Sequence, residues 1–117
     1  MEITLRRGDI VPARLNPNKG AEMGKVRPVI ILTQSELIKA GLPMVMVLPL
    51  TSQFWPALSA LRVEIAPRER LLKQSYAVLE QARSIDISRI QADVLTRLTP
   101  SEFQKIETQL KLLLGFD

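Results

Sequence analysis

The chain has 117 residues, of which 16 are Lys or Arg and 12 Asp or Glu, for a formal charge of +4. That length suits one packed domain over residues 1–117 and is too short for two. Cys and His are both absent, so disulfides, thiolate metal sites and the commonest general acid–base side chain are excluded. Any catalysis must use carboxylates, hydroxyls, amides, Lys, Tyr or Arg. The opening Met1–Arg7 has no long apolar core, so no secretory leader is expected. No apolar run approaches the about 18–20 residues of a membrane span, and a cytoplasmic protein with no membrane partner is the expectation. The basic excess is compatible with a nucleic-acid partner without specifying one.

Arg7-Gly8-Asp9-Ile10-Val11-Pro12-Ala13-Arg14-Leu15 reads as a turn followed by a first strand. Pro12 has no N–H to donate, so this strand is expected at an edge or with a bulge. Asn16-Pro17-Asn18-Lys19-Gly20 is dense turn chemistry. The connection from Asn16 to Val26 is longer than the two to five residues of an ordinary hairpin. It reads as a mobile, polar binding loop or lid carrying Lys19, Glu22 and Lys25, and equally as a solvated loop. Arg27-Pro28 then leads into Val29-Ile30-Ile31-Leu32, a buried strand. Pro28 keeps Arg27 out of α geometry and sets the direction in which it meets the sheet. Ser35–Gly41 predicts a short helix capped by Ser35 and stopped by Gly41.

Pro43–Leu50 is an apolar run of strand length, expected to be central and buried on both faces. Thr51-Ser52-Gln53 follows at its exit, and turn hydroxyls of this kind commonly bond their own backbone. Phe54-Trp55-Pro56 either covers an open end of the sheet or offers a stacking surface to a base. Leu61–Ile65 alternates, which assigns Arg62 and Glu64 to a wet face. Ser75–Ile85 reads as an extended segment bent around Glu80-Gln81, where polar Glu80, Gln81 and Arg83 interrupt an apolar strand. Such a break marks either a site or an ion pair within the sheet. Thr99-Pro100-Ser101-Glu102 is a capping box with Pro at the first helical position. Phe103, Ile106, Leu110, Leu113 and Leu114 recur at helical spacing, and Gly115 supplies the stop.

Short strands, long loops and one terminal helix predict a mainly β fold: a small, strongly bent antiparallel sheet, barrel-like, with a C-terminal helix packed on it. In that setting Arg27 at a strand start and Thr51 at a strand exit share one end of the barrel. An Arg fork and a hydroxyl beside a basic loop form an anion site suited to phosphate oxygens.

These pieces, taken in order, resemble the MazF/PemK toxins of bacterial toxin–antitoxin pairs. The resemblance rests on Arg7-Gly8-Asp9-Ile10-Val11, Pro17, Gly20, Glu22, Arg27-Pro28-Val29, Pro49-Leu50-Thr51-Ser52, Leu79-Glu80-Gln81 and Arg83-Ser84-Ile85-Asp86. It implies a homodimeric SH3-like barrel that cuts single-stranded RNA, mRNA included, at short motifs. It also implies cleavage without metal or cofactor, leaving a 2′,3′-cyclic phosphate and a 5′-hydroxyl. By the family motif Arg27 and Thr51 are the catalytic positions, and a small acidic antitoxin occupies the RNA groove. RNA contacts are then expected from Lys19, Glu22 and Lys25 on the loop, Ser52 and Gln53 after the central strand, and Glu80, Gln81 and Arg83 at the bend. Arg is poorly suited to give up a proton, which leaves Glu22 and Glu80 as alternative proton acceptors. Some relatives carry an Arg and an Asp where this chain has Val78 and Glu80. Two other classes share the barrel: non-enzymatic toxins such as CcdB that bind DNA gyrase, and relatives that bind RNA without cutting it.

Overall fold

β-Branched and aliphatic runs set the sheet. The computed structural model describes residues 4–16, 19–22, 24–91 and 93–116. Met1–Ile3 of the leader reading and Pro17 and Asn18 of the predicted turn lie outside them. In chain order the described elements are β1 (Asp9–Arg14), β2 (Val26–Ile31), α1 (Ser35–Lys39), β3 (Met44–Thr51), a 3₁₀ turn at Pro56–Leu61, β4 (Arg62–Ile65) and β5 (Ser75–Val78). A second 3₁₀ turn follows at Leu79–Gln81, then β6 (Arg83–Asp86), a third at Ile87–Arg89, β7 (Thr96–Arg97) and α2 (Pro100–Leu114). The antiparallel strands run in the order β4-β5-β3-β2-β1-β7, with β6 also on β3. This bent half-barrel with a terminal helix is the architecture the sequence predicts.

Alternation sends each strand's side chains into two separate cores. Val11, Ala13, Val29, Ile31, Val45 and Val47 join Leu15 and Ile85 on one face of the sheet. Ile10, Ile30, Leu48 and Leu50 join Val63, Ile65, Leu79 and the α2 residue Ile106 on the other. Both faces of the middle of the sheet are covered, which explains the unbroken apolar runs. The covering is incomplete at the start of β3: Met44 and Met46 are 42% and 45% exposed, against the expectation of burial throughout.

Three prolines decide where the ladder opens. Pro12 faces Pro28 in register. The Pro12 carbonyl accepts from the Gln91 N–H, so its missing donor points away from β2. β1 is therefore neither bulged nor an edge strand, because β7 and the Ile90–Gln91 segment flank it. Pro28 points instead toward β3, whose pairing with β2 ends at Pro49 opposite Val29. Beyond that point β3 pairs with β5 through Leu50 and Thr51. Pro49 in turn points toward the neighbouring β5–β6 segment, as Pro43 does where its carbonyl accepts from the Ile87 N–H. There Val47 pairs with Arg83 and Leu50 with Ala77, so the neighbouring chain must fit five residues against Leu48 and Pro49. The surplus loops out as the Leu79–Gln81 turn. Residues that cannot donate thus free one end of the sheet from pairing.

α2 begins as predicted. Thr99 Oγ1 accepts from the Glu102 N–H at 3.2 Å, and Glu102 Oε1 accepts from the Thr99 N–H at 2.8 Å. Gly115 closes the helix in the left-handed region at φ 77°. The predicted apolar stripe, however, is buried only in its first turns: Leu113 and Leu114 are exposed. α1 also departs from expectation. Gln34, not Ser35, is its N-cap, and Ser35 Oγ accepts from the Arg7 N–H at 3.0 Å instead. Gly41 supplies the expected stop at φ 96°.

Glu102 also receives Arg68 Nη1 at 2.7 Å, with Nη2 on its second oxygen. The Arg68 hydrogen bond, aided by the Thr99 N–H, holds the Glu102 carboxyl below its ordinary value, and the same bond raises Arg68. A lowered carboxylate contributes stability above its unfolded pKa of about 4.3, lost as pH falls through the native value. Glu102→Ala is expected to cost about 1–2 kcal/mol at neutral pH. In urea melts its gap from wild type should close below about pH 4, and a gap constant with pH would contradict the pairing.

Candidate functional site

The unpaired end of the sheet carries Arg27 and Thr51. Arg27 sits opposite Ala13 at the start of β2, and Thr51 opposite Tyr76 at the end of β3. Arg27 Nε donates to the Gly24 carbonyl at 3.1 Å. That bond fixes the fork at its base and leaves the Nη donors for a ligand. Thr51 Oγ1 accepts from the Gln53 N–H at 3.2 Å, the local turn expected of such a hydroxyl. Accepting through a lone pair leaves its O–H proton to donate outward. Both residues line two adjoining depressions and form their shared wall.

The first depression, about 350 Å³, is lined by Ala21, Gln53, Trp55, Leu58, Arg62, Val78, Glu80 and Gln81 together with Arg27 and Thr51. The second, about 450 Å³, adds Lys25, Ser52, Arg70 and Lys73 to the same pair. Four cations and no carboxylate line that second depression, a composition that suits a phosphodiester backbone. Arg70 approaches Asp93 only at 3.9 Å, with both side chains well exposed.

Most of the residues singled out in the sequence therefore meet at one place. Arg27, Thr51, Gln53, Glu80 and Gln81 line the first depression, and Lys25 and Ser52 the second. Lys19, Glu22 and Arg83 line neither. Arg83 Nη1 donates to the Leu15 carbonyl at 3.3 Å, bracing the base of the loop. Lys19 and Glu22 close a turn on each other: the Lys19 N–H meets Glu22 Oε1 at 2.6 Å, and the Glu22 N–H meets the Lys19 carbonyl at 3.1 Å.

The described part of this loop is hydrogen-bonded to its surroundings at several points. Gln81 Nε2 donates to the Ala21 carbonyl at 3.1 Å, and Asn16 Oδ1 accepts from the Lys25 N–H at 3.0 Å. Lys25 itself lies at φ 65°, a left-handed conformation unusual for a side-chain-bearing residue. Such a conformation costs about 1–2 kcal/mol and sits where the loop meets the sheet. Trp55 is 60% exposed at the rim, while Phe54 packs on Tyr76 with ring centroids 5.0 Å apart. The aromatic pair thus divides the two roles the sequence left open: Phe54 covers, and Trp55 is presented.

Arg62 is the residue that sequence reasoning placed wrongly. Alternation put it on a wet face, yet its side chain is only 9% exposed. It stands opposite Val78 in register, where the Pro56–Leu61 and Leu79–Gln81 turns flank it. Its Nη1 and Nη2 reach Glu80 Oε1 and Oε2 at 2.6 and 3.1 Å. Its buried Nε finds no acceptor among the described residues, a cost of about 1–3 kcal/mol. The break at Glu80 is thus both an ion pair and a lining of the depression. The sequence reading of an ion pair within the sheet at this break holds, but it did not name Arg62 as the partner.

A bent antiparallel half-barrel with a terminal helix is the fold of the MazF-type barrels. Residues 6–114 match the PemK-like, MazF-like toxins of type II toxin–antitoxin systems, and the chain belongs to that family. Among solved structures it is similar to MazF from Deinococcus radiodurans, with a TM-score of 0.81 at 20% identity over 98% of this chain and 100% of that one. It is similar to the Mycobacterium tuberculosis toxin MazF-mt6, with a TM-score of 0.75 at 22% identity over 93% and 98% of the two chains. A mycobacterial endoribonuclease solved with its cognate antitoxin matches with a TM-score of 0.72 at 19% identity, over 97% and 96%. These likenesses show the fold.

Proposed function

We propose that this chain is an endoribonuclease toxin that cuts single-stranded RNA at a short motif, with Arg27 and Thr51 as its catalytic residues. The carrying observation is the shared wall: the Arg27 guanidinium, anchored through Nε, and the Thr51 hydroxyl line the same two depressions, where β2 and β3 part. The scissile phosphate lies on that wall. The 2′-hydroxyl of the adjacent ribose attacks phosphorus, the bond to the 5′-oxygen breaks, and a 2′,3′-cyclic phosphate and a 5′-hydroxyl result. Arg27 stabilises the charge that builds on the phosphorane oxygens, and Thr51 donates a hydrogen bond to the same group. Glu80 is held through both oxygens by Arg62 and lines the first depression beside that wall. Glu22 accepts from the Lys19 N–H and lines neither depression.

The toxin works in the cytoplasm as one domain without metal or cofactor, and its partner is a small acidic antitoxin that competes for the cationic depression. Support for the antitoxin comes from relatives in the family solved in complex with theirs. A homodimer is proposed as well. Exposed Met44 and Met46 on β3 and exposed Leu112, Leu113, Leu114 and Phe116 at the end of α2 are the apolar surface it has to cover. Light scattering should then return twice the 13.2 kDa chain mass.

Purified protein is expected to cut a long RNA in excess EDTA. Loss of cleavage on chelation would refute metal independence, and a protein inert to RNA that blocks DNA supercoiling would favour the gyrase-binding alternative. Lys25→Glu is expected to weaken RNA affinity and lower the salt slope of log K by about one to two. An unchanged slope would remove Lys25 from the RNA contact.

A further inference from the structure

The first depression has the chemistry of a base pocket. Beyond the Arg27–Thr51 wall, its lining offers Trp55, Leu58 and Val78 as apolar surface and Gln53, Gln81 and the Arg62–Glu80 pair as polar surface. Its volume, about 350 Å³, lies in the range of small-ligand pockets. Glu80, paired with Arg62, makes this depression a poorer place for the backbone than its neighbour, which four cations and no carboxylate line. An unstacked base is a better match, because aromatic side chains accept its face and a few fixed polar groups read its edge.

Glu80 is the fixed reader. Arg62 holds both its oxygens, so the carboxylate cannot swing to suit a ligand. It keeps 31% exposure, and each oxygen retains acceptor capacity beyond the guanidinium. Arg62 accepts an unpartnered buried Nε to stand there. An ion pair with one buried partner is weak evidence for a stabilising role, and one that leaves a buried donor unmet beside an open depression is the kind of local inconsistency that marks function.

We infer that this depression takes one unstacked nucleobase of the RNA against Trp55, and that Glu80 selects a base with an exocyclic amino group over uracil. The inference rests on the RNA reading above. A carboxylate accepts hydrogen bonds and donates none. Cytosine presents its 4-amino group to it, whereas uracil presents a carbonyl oxygen at the same place. The two rings are otherwise alike in size and stacking face, so the pair isolates the edge.

Trp55 is the only Trp in the chain, so its fluorescence reports this pocket in the intact protein. All-2′-deoxy pentanucleotides, which lack the attacking hydroxyl, permit the titration without cleavage. Oligo-dC is expected to quench Trp55 at about tenfold lower concentration than oligo-dU. Glu80→Gln, which keeps an acceptor for Arg62, is expected to bring that ratio to within about twofold. Equal quenching by the two oligomers in the wild type, or no quenching by either, would overturn the inference without any variant. A Glu80→Gln protein with the ratio intact would overturn it too. If the wild type discriminates C from U but never cuts RNA, the nuclease reading fails and the base pocket stands. Cleavage with no discrimination does the reverse.

Discussion

Arg27→Ala is expected to slow RNA cleavage by about two to three orders of magnitude, the scale of losing one donor aimed at developing negative charge. Among the described residues its side chain makes one hydrogen bond, from Nε to the Gly24 carbonyl, so stability should fall by only about 1 kcal/mol. The informative contrast is therefore a folded protein with little activity. Arg27→Lys restores charge without the planar fork and should recover only part of the rate. Single-turnover cleavage beside a denaturation curve measures both. An Arg27→Ala protein that cuts at the wild-type rate would remove the guanidinium from the chemistry.

The second large effect concerns stability. Asp9 is fully buried and charged. Its Oδ2 accepts the Arg6 N–H at 2.9 Å, and its Oδ1 accepts Arg97 Nε at 2.8 Å. That arrangement ties the turn before β1, where Gly8 lies at φ 92°, to β7. Losing the carboxylate leaves the Arg6 N–H without its acceptor and removes the Arg97 bond, and Asp9→Ala is expected to lose about 2–3 kcal/mol in urea unfolding. Cleavage per folded molecule should stay unchanged, since Asp9 lines neither depression. A loss below about 1 kcal/mol would mean that Arg97, itself 57% exposed, holds the carboxylate only loosely.

Asp9 shows how a motif informs without being functional. Arg7-Gly8-Asp9 helped carry the family resemblance, yet its residues build a turn and a cation–π contact, with Arg7 4.5 Å from the Phe103 ring centroid. What was legible in the sequence was what local chemistry dictates. The capping box, the apolar strand runs and the glycine stops all form where expected. The convergence of Arg27 and Thr51 was legible because one stands at a strand start and the other at a strand exit, and a small bent antiparallel sheet brings such ends together.

What escaped was set by contacts distant in sequence. Arg62 is buried because two 3₁₀ turns and Glu80, 18 residues away, close around it. Period-two alternation in a four-residue strand contains no trace of that. The Leu79–Gln81 turn likewise arises from a count of residues against β3, which only the register reveals. β7 is two residues long and exists through its pairing with β1. The end of α2 failed in the opposite way: its spacing is helical throughout, but no part of the barrel reaches Leu113 and Leu114. Periodicity tells which residues share a face, and not whether anything covers it.

The central claim is that the Arg27–Thr51 wall promotes attack by a ribose 2′-hydroxyl on the phosphate it holds. The most direct measurement maps a cleavage site in a long RNA, then repeats the reaction with a substrate carrying a single 2′-deoxy sugar immediately 5′ of that phosphate. The account predicts a 2′,3′-cyclic phosphate and a 5′-hydroxyl from the unmodified RNA, and no cleavage at the modified position. Cutting at the 2′-deoxy position would contradict it.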